Sequence, residues 1–379
     1  VRRCIMMIAA VTAAALLSCD KTERPAALDG EGMIAVTIVD TTGTFPGSTQ
    51  GVPSVIGEAK VSLQARTHEY SAGDESGEDG VAEFDGLPAG EYSVFARREM
   101  PIGAQKKVFT GYTDMLVEGP GLIADTLYVS TVTVNALMIN EIYYCGSNYA
   151  SFYFYDQYVE LYNSSEDTLY LDGCILTRNF PTVEGDLEDI DHVRAIYAFQ
   201  FPGTPVTGRE HPIYPHQYVV IAADAIDHSR YSANGYDLSG ADWEFFNAFG
   251  NDYDVPNVPN VLNINPDRTT DFMINLSSNA IVLATGEEWH IEEYINSSGY
   301  PGTRVTLPLY TVIDGVEYAA NSDHTKELTM RVDAGFAGVG CAKYSGASVE
   351  RREVGVDTNN STFDFVLIPR GTPGYTHVQ

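Results

Sequence analysis

From Met33 onward the chain carries no helical period of useful length; apolar residues alternate with polar ones in short β-branched and aromatic runs, "MIAVTIVD", "AKVSLQAR", "VAEFDGL", "GEYSVFAR", "KKVFTGYT" and "DTLYVSTVTV". Gly, Pro, Asp or Ser clusters separate the runs. Period-two patterning between turn residues is what half-buried antiparallel strands require. The chain has 379 residues, more than one core usually serves, so two packed cores are expected. The fold class expected is all-β, two antiparallel β-sandwiches in series.

One stretch, "GEDGVAEFDGLPAGEYSVFAR", fixes local detail. Asp79-Gly80 supplies a tight turn and Leu87-Pro88-Ala89-Gly90 a second, and Tyr92, Val94 and Ala96 then fall on one face. This pattern resembles the transthyretin-like (prealbumin-like) domain found beside carboxypeptidases as a regulatory module. The resemblance covers residues 33–134 and implies a spacer or binding role with no catalytic residues. A Gly/Ser/Pro-rich insertion, "TGTFPGSTQGVPSVIGE", separates its first two strands.

A second unit opens at "ALMINEIYY" and continues with "YVELYN". Alternation puts Val159 and Leu161 on one side and Tyr158, Glu160 and Tyr162 on the other, while Glu166, Asp167 and Asp172 fall in turns. These carboxylates are therefore expected on an outward face or in turns, with no pair obliged to converge. Ile139-Asn140-Glu141, Tyr158 to Asn163, Leu169 to Leu176, Tyr218 to Ala223, Leu276 to Leu283, Val312 to Tyr318, Ser348 to Arg351 and Thr372-Pro373-Gly374 follow, in order, the pattern of the lamin-tail domain. That resemblance spans residues 135–379 and implies an immunoglobulin-like sandwich, with insertions near 146–157, 179–215 and 227–271.

The start, "VRRCIMMIAAVTAAALLSCDKTERP", has two arginines, an apolar run shorter than a membrane span, and Leu16-Leu17-Ser18-Cys19. It reads as a secretory signal over residues 1–18, and its end resembles a bacterial lipobox, which implies lipidation of Cys19 and a polar tether over 19–32. An ordinary signal peptide with Cys19 a free thiol is the alternative. Lipobox and two β-domains together resemble an uncharacterised family of Bacteroidota surface lipoproteins. The resemblance implies lipid anchoring at the outer membrane, at the cell surface, with a TonB-dependent transporter or an extracellular polymer as partner. Asp and Glu number 52 against 22 Lys and Arg, a formal charge of −30, which repels phosphate backbones and removes nucleic acid as a partner.

Three cysteines follow Cys19, namely Cys145, Cys174 and Cys341, which permits at most one internal disulfide and no metal knuckle. Cys145 with Cys174 is the expected pair, and buried free thiols are the alternative. There is no G-x-S-x-G elbow, H-E-x-x-H pair or phosphate-binding glycine loop. "WHIEEY" reads as a charged strand, and Asp191-His192, Asp227-His228 and Asp323-His324 as loop dipeptides. The acidic loops "EGDLEDID" (Asp186, Glu188, Asp189, Asp191) and "NDYDVPN" (Asp252, Asp254) offer oxygen ligands for a structural calcium ion, though neither has the spaced ligand pattern with its glycine. No other cofactor is expected. Aromatic residues crowd two of the insertions: Tyr149, Phe152, Tyr153 and Tyr155 in one, Trp243 and Phe245 in the other. Such rings stack on sugars or on a partner's apolar patch, or else fill a core. The function expected is non-enzymatic binding or adhesion at the cell surface. An accessory role beside a nutrient importer and a metal-dependent hydrolase built from loop Asp and His residues are the alternatives.

Overall fold

A computed structural model describes residues 30–375 except 42, 44, 46–51, 67–69, 103–104, 133–135, 148–151, 180–190, 296–298, 322–323 and 330–331. Of the residues named above, Leu16, Leu17, Ser18, Cys19, Tyr149, Asp186, Glu188, Asp189 and Asp323 lie outside this set. The chain is all-β and divides into two compact units, Val1–Thr131 and Val132–Gln379.

The first unit contains β1 (Gly32–Asp40), β2 (Ser54–Val55), β3 (Lys60–Ala65), β4 (Ser71–Glu75), β5 (Val81–Leu87), β6 (Gly90–Ile102), β7 (Gln105–Val117) and β8 (Gly121–Val132). They order as β2-β1-β8-β7-β6-β3-β4, with β5 also on β1. The β1–β8 pair is parallel, a departure from the all-antiparallel expectation. Ile34, Val36 and Ile38 of β1 and Tyr92, Val94 and Ala96 of β6 share one buried core, as the alternation requires. Gly80 has a φ of +77°, the left-handed turn conformation that asparagine or glycine tolerates best. The Tyr92 hydroxyl donates to the Pro88 carbonyl at 2.9 Å, which ties the "LPAGEY" turn to its own strand.

The second unit contains β9 (Leu137–Tyr143), β10 (Tyr158–Asn163), β11 (Leu169–Tyr170), β12 (Ile175–Asn179), β13 (His192–Gln200), β14 (Pro212–Ile213), β15 (Tyr218–Ala222), β16 (Trp243–Phe246), β17 (Asn260–Asn263), β18 (Ser278–Ala284), β19 (His290–Ile295), β20 (Pro301–Pro308), β21 (Val312–Ala319), β22 (Ser348–Arg351) and β23 (Phe365–Ile368). One continuous sheet runs β21-β18-β12-β13-β17-β16-β15-β10-β9-β22-β23, with β20 on β13 and β19 on β20. Its two ends enclose the main core, in which Ile281, Leu283 and Val316 meet Ile139, Val159, Leu161 and Val349.

Two of the segments read as insertions contain strands of the main sheet. Strand β13 pairs with β12, β17 and β20, and β16 and β17 join the two halves of the sheet through parallel pairing with β15 and with each other. Trp243 and Phe245 are accordingly core residues, 8% and 1% exposed, so they are unavailable as a ligand surface. Phe245 stacks on Phe272 with centroids 3.9 Å apart, and Trp243 meets Phe201 edge-on.

Strands β9 and β10 are buried at every position. The inner side faces the main core; on the outer side Tyr143 and Tyr158 pack with Val220, Ala225, Tyr236 and Leu238, so the chain between β15 and β16 covers the sheet. Alternation located the inner face of β10 correctly and misjudged the other as solvent-exposed, because a period-two pattern says nothing of a segment that folds over it.

At the sheet end, Arg351 is 1% exposed. Its guanidinium lies 2.7 Å from Asp314 and 3.4 Å from both Asp357 and Asp364, and its Nε donates to the Ile139 carbonyl at 2.8 Å. The three carboxylates raise its pKa against the effect of burial. Removing the cation strands these acids in the interior, so Arg351→Met should lower unfolding stability by about 3–5 kcal/mol in chemical denaturation; a loss below about 1 kcal/mol would show that the cluster is dispensable.

Candidate functional site

The loop between β9 and β10 carries most of the exposed aromatic residues singled out in the sequence, and its base is fixed from several sides. Cys145 is bonded to Cys341, not to Cys174, which is a buried free thiol whose pKa burial pushes up to about 12. The pairing of Cys145 with Cys174 is thereby corrected: position 174 immediately precedes β12 and belongs to the core, whereas residue 341 lies in the loop that runs beside residues 145–146. There the Tyr344 N–H donates to the Cys145 carbonyl, and the Gly346 N–H to the Gly146 carbonyl at 2.8 Å. Gly146 has a φ of +76°, and a Cβ on it would sit 2.9 Å from the Tyr153 carbonyl, so the loop can turn back on itself only through glycine.

Buried polar side chains hold the rest. The Ser147 hydroxyl donates to that of Ser232 at 3.0 Å. Gln157 is buried and bridges to the Tyr144 and Ile274 carbonyls at 3.0 and 2.9 Å, while its own side-chain oxygen accepts from the Ile274 N–H at 2.8 Å. Tyr153 reaches His228 Nδ1 at 2.6 Å, and Nε2 of that ring lies 2.9 Å from the Asp224 carbonyl. A carbonyl only accepts, so Nε2 carries a proton, and in the neutral ring Nδ1 then accepts from the tyrosine hydroxyl. Burial, which lowers the His228 pKa, favours the same state. Asp156 is fully buried; burial raises its pKa to about 6, and its Oδ2 accepts from the Tyr143 hydroxyl at 3.3 Å.

On this base stands a run of rings. Tyr231 lies parallel to Tyr153 at 6.3 Å, Tyr153 meets Tyr155 edge-on at 5.6 Å, Tyr155 stacks on Phe154 at 4.8 Å, and Phe152 meets Tyr344 edge-on at 5.4 Å. Phe152, Tyr155 and Tyr231 are 56%, 45% and 65% exposed. Phe152 and Tyr344 have φ values of +54° and +60°. Non-glycine residues in this region cost about 1–2 kcal/mol each, and such strain concentrates at binding sites. Of the six ligand-binding candidates, the structure thus brings Phe152, Tyr153 and Tyr155 together and sends Trp243 and Phe245 to the core. Tyr231 and Tyr344 were missed; each stands alone in a polar stretch, and only the fold brings it beside the others.

Of the acidic candidates, Asp191, Asp252 and Asp254 lie among the described residues. Asp191 is exposed, Asp252 accepts from the Asn247 N–H at 2.7 Å, and Asp254 accepts from Asn260 at 3.0 Å. Asp252 lies near Asp224, Glu244 and Asp271; burial first, and these neighbours second, raise Asp224 to about 7. Among the described residues one group brings three metal-ligating atoms within 4.8 Å of one another: Asp172, Glu210 and His211. Its Asp172 carboxylate already accepts the backbone N–H groups of Glu210 and His211, both at 2.9 Å, and so organises the loop before β14.

A different set of acids does converge. In-register pairing aligns Glu160 of β10, Glu141 of β9 and Glu350 of β22, all buried, which corrects the outward placement of Glu160. Glu141 accepts from the Tyr158 hydroxyl at 2.7 Å and from the Thr372 N–H at 3.0 Å, and Glu160 from Asn140 at 2.8 Å and from the Gly374 N–H at 2.5 Å. The motifs "INE", "YVELYN" and "TPG" therefore meet at one place, where the acids hold the chain rather than face a substrate.

The family described as "Protein of unknown function (DUF4876)" matches residues 214–369. No curated protein sequence matches this one. A crystal structure of a DUF4876 family protein from Bacteroides thetaiotaomicron is similar over 92% of this chain and 96% of its own, with a TM-score of 0.54 at 22% identity, a likeness of fold. A protein named as a candidate carbohydrate binder from Pseudomonas aeruginosa aligns over 26% of this chain and 90% of its own, at 15% identity and a TM-score of 0.20. One named as a candidate adhesin from Bacteroides ovatus aligns over 74% and 84%, at 9% identity and a TM-score of 0.20. Scores this low carry no functional argument.

The disulfide and the buried bonds at the loop base make a specific demand on dynamics. Cys341→Ser should lower unfolding stability by about 2–5 kcal/mol and speed amide exchange across residues 145–157 more than in the strands of the core. Unchanged exchange in that loop would mean that the hydrogen bonds alone fix it.

Proposed function

We propose that this protein is a non-enzymatic binding or adhesion protein of the cell surface, and that its ligand-contacting surface is the aromatic run through Phe152, Tyr155 and Tyr231. The observation that supports this reading is the pairing of exposed, partly strained rings with a loop base fixed by a disulfide and buried hydrogen bonds. Rigid rings lose little freedom when a ligand stacks on them, which is how flat apolar faces are bound with useful affinity. The faces of pyranose rings in an extracellular polymer have that shape, with hydroxyls at their rims for the tyrosines to orient.

Lipid attachment through Cys19 and residence at the outer membrane belong to the same proposal. A disulfide in the folded chain is at home outside the reducing cytosol, which agrees with export. No helix among the described residues is long and apolar enough to cross a membrane.

The test is electrophoresis in native gels cast with barley β-glucan, xylan, yeast mannan or mucin. At least one polymer should retard the protein. The triple substitution Phe152→Ala, Tyr155→Ala, Tyr231→Ala should weaken that retardation at least about tenfold, since each stacked ring contributes about 0.5–1.5 kcal/mol. The triple variant should keep its Tm, because all three rings are exposed. Equal retardation of the variant would remove this surface from the account.

A further inference from the structure

We propose that Glu141 and Glu160 form a pH-released clasp that holds the Gly371–Gly374 segment over the outer face of β9 and β10. The clasp rests on geometry. The Thr372 and Gly374 N–H groups point at the two carboxyls, at 3.0 and 2.5 Å. The other hydrogen-bond donors the two acids meet are neutral: the Tyr158, Ser348 and Thr372 hydroxyls and the Asn140 amide. The Thr372 hydroxyl lies 3.1 Å from Glu141 Oε2 and 3.3 Å from Glu350 Oε1. It has one proton, which it either shares between the two acids or gives to one while the other, protonated, donates back to it.

The groups that face the pair are few. Tyr158 comes from β10, Glu350 and Ser348 from β22, and Tyr236 from the covering segment, where its hydroxyl accepts from the Gly371 N–H. Opposite Glu160, β15 presents Val220. Arg370, the cation of the segment, lies over the Tyr236 ring at 4.3 Å. Burial raises Glu141 to about 7, outweighing the hydrogen bonds from Ser348, Tyr158 and Thr372 that favour its ionised form, with Glu350 adding to the rise; burial together with Glu141 likewise raises Glu160 well above the usual carboxylate range against the bonds from Gly374 and Asn140. An acid whose pKa is raised by folding contributes stability below its unfolded value, and that stability is lost as pH climbs through the folded value. The clasp is thus closed in mild acid and loosens above about pH 7 as like charges accumulate.

The test is amide exchange in the intact protein from pH 6 to 9, with intrinsic rates divided out. Protection at Thr372 and Gly374 should fall by up to about tenfold per pH unit once Glu141 ionises, while β18 amides keep theirs. In the Glu141→Gln, Glu160→Gln double variant the fall should vanish. Protection of the segment that stays constant to pH 9 in the unsubstituted protein would overturn the proposal, whether or not the variant folds. So would an equal fall in the double variant or a parallel fall in β18.

Discussion

Burial of both faces of β9 and β10 is the constraint on which the second unit depends. A strand covered on both sides obliges each polar side chain to find a partner inside the protein, since an unpaired buried carboxylate costs several kcal/mol. That obligation explains why Glu141 and Glu160 meet backbone N–H groups of a segment more than 200 positions later. It also explains why Asn140 and Tyr158 spend their side chains on those acids. The covering segments lie over this sheet because its polar residues are donors and acceptors matched to them.

The same arrangement sets the exposed loop. Residues 145–157 leave β9 and return to β10, so both ends are anchored in the most deeply buried strands of the unit. The bond to Cys341 and the Tyr153–His228 contact then fix the loop to two further segments. Aromatic side chains that project from such a base have few alternative positions, and their apolar surface stays in water. In the proposed reading such a surface binds by shape and stacking, while Glu141 and Glu160 are occupied in holding the chain.

Much of the fold could be read in the sequence, and the failures have common causes. The strand runs of the first unit, the turns at Gly80 and Leu87–Gly90, and the inward set of Val159 and Leu161 all followed from period two and turn chemistry. The parallel pairing of β1 with β8, and of β16 with its neighbours, left no local mark, because strand direction is decided by tertiary connection. Trp243 and Phe245 left two readings open in the sequence, a stacking surface or a core, and their alternate positions on β16 fill the main core. Glu160 looked solvated for the reason that a strand pattern is blind to a third layer. Of the site, Phe152, Tyr153 and Tyr155 were visible as a cluster in sequence, whereas Tyr231 and Tyr344 come from distant loops and Cys341 carries no signal of its partner.

The central claim is that the exposed rings of the 145–157 loop, with Tyr231, are where a ligand touches this molecule. Two-dimensional NMR of the ring protons during titration with a soluble oligosaccharide of the retarding polymer tests it most directly. Saturable shifts should concentrate on Phe152, Tyr155 and Tyr231, with the buried rings of Phe245 and Phe272 unmoved. Saturable shifts clustered elsewhere on the protein, with these three rings unchanged, would contradict it.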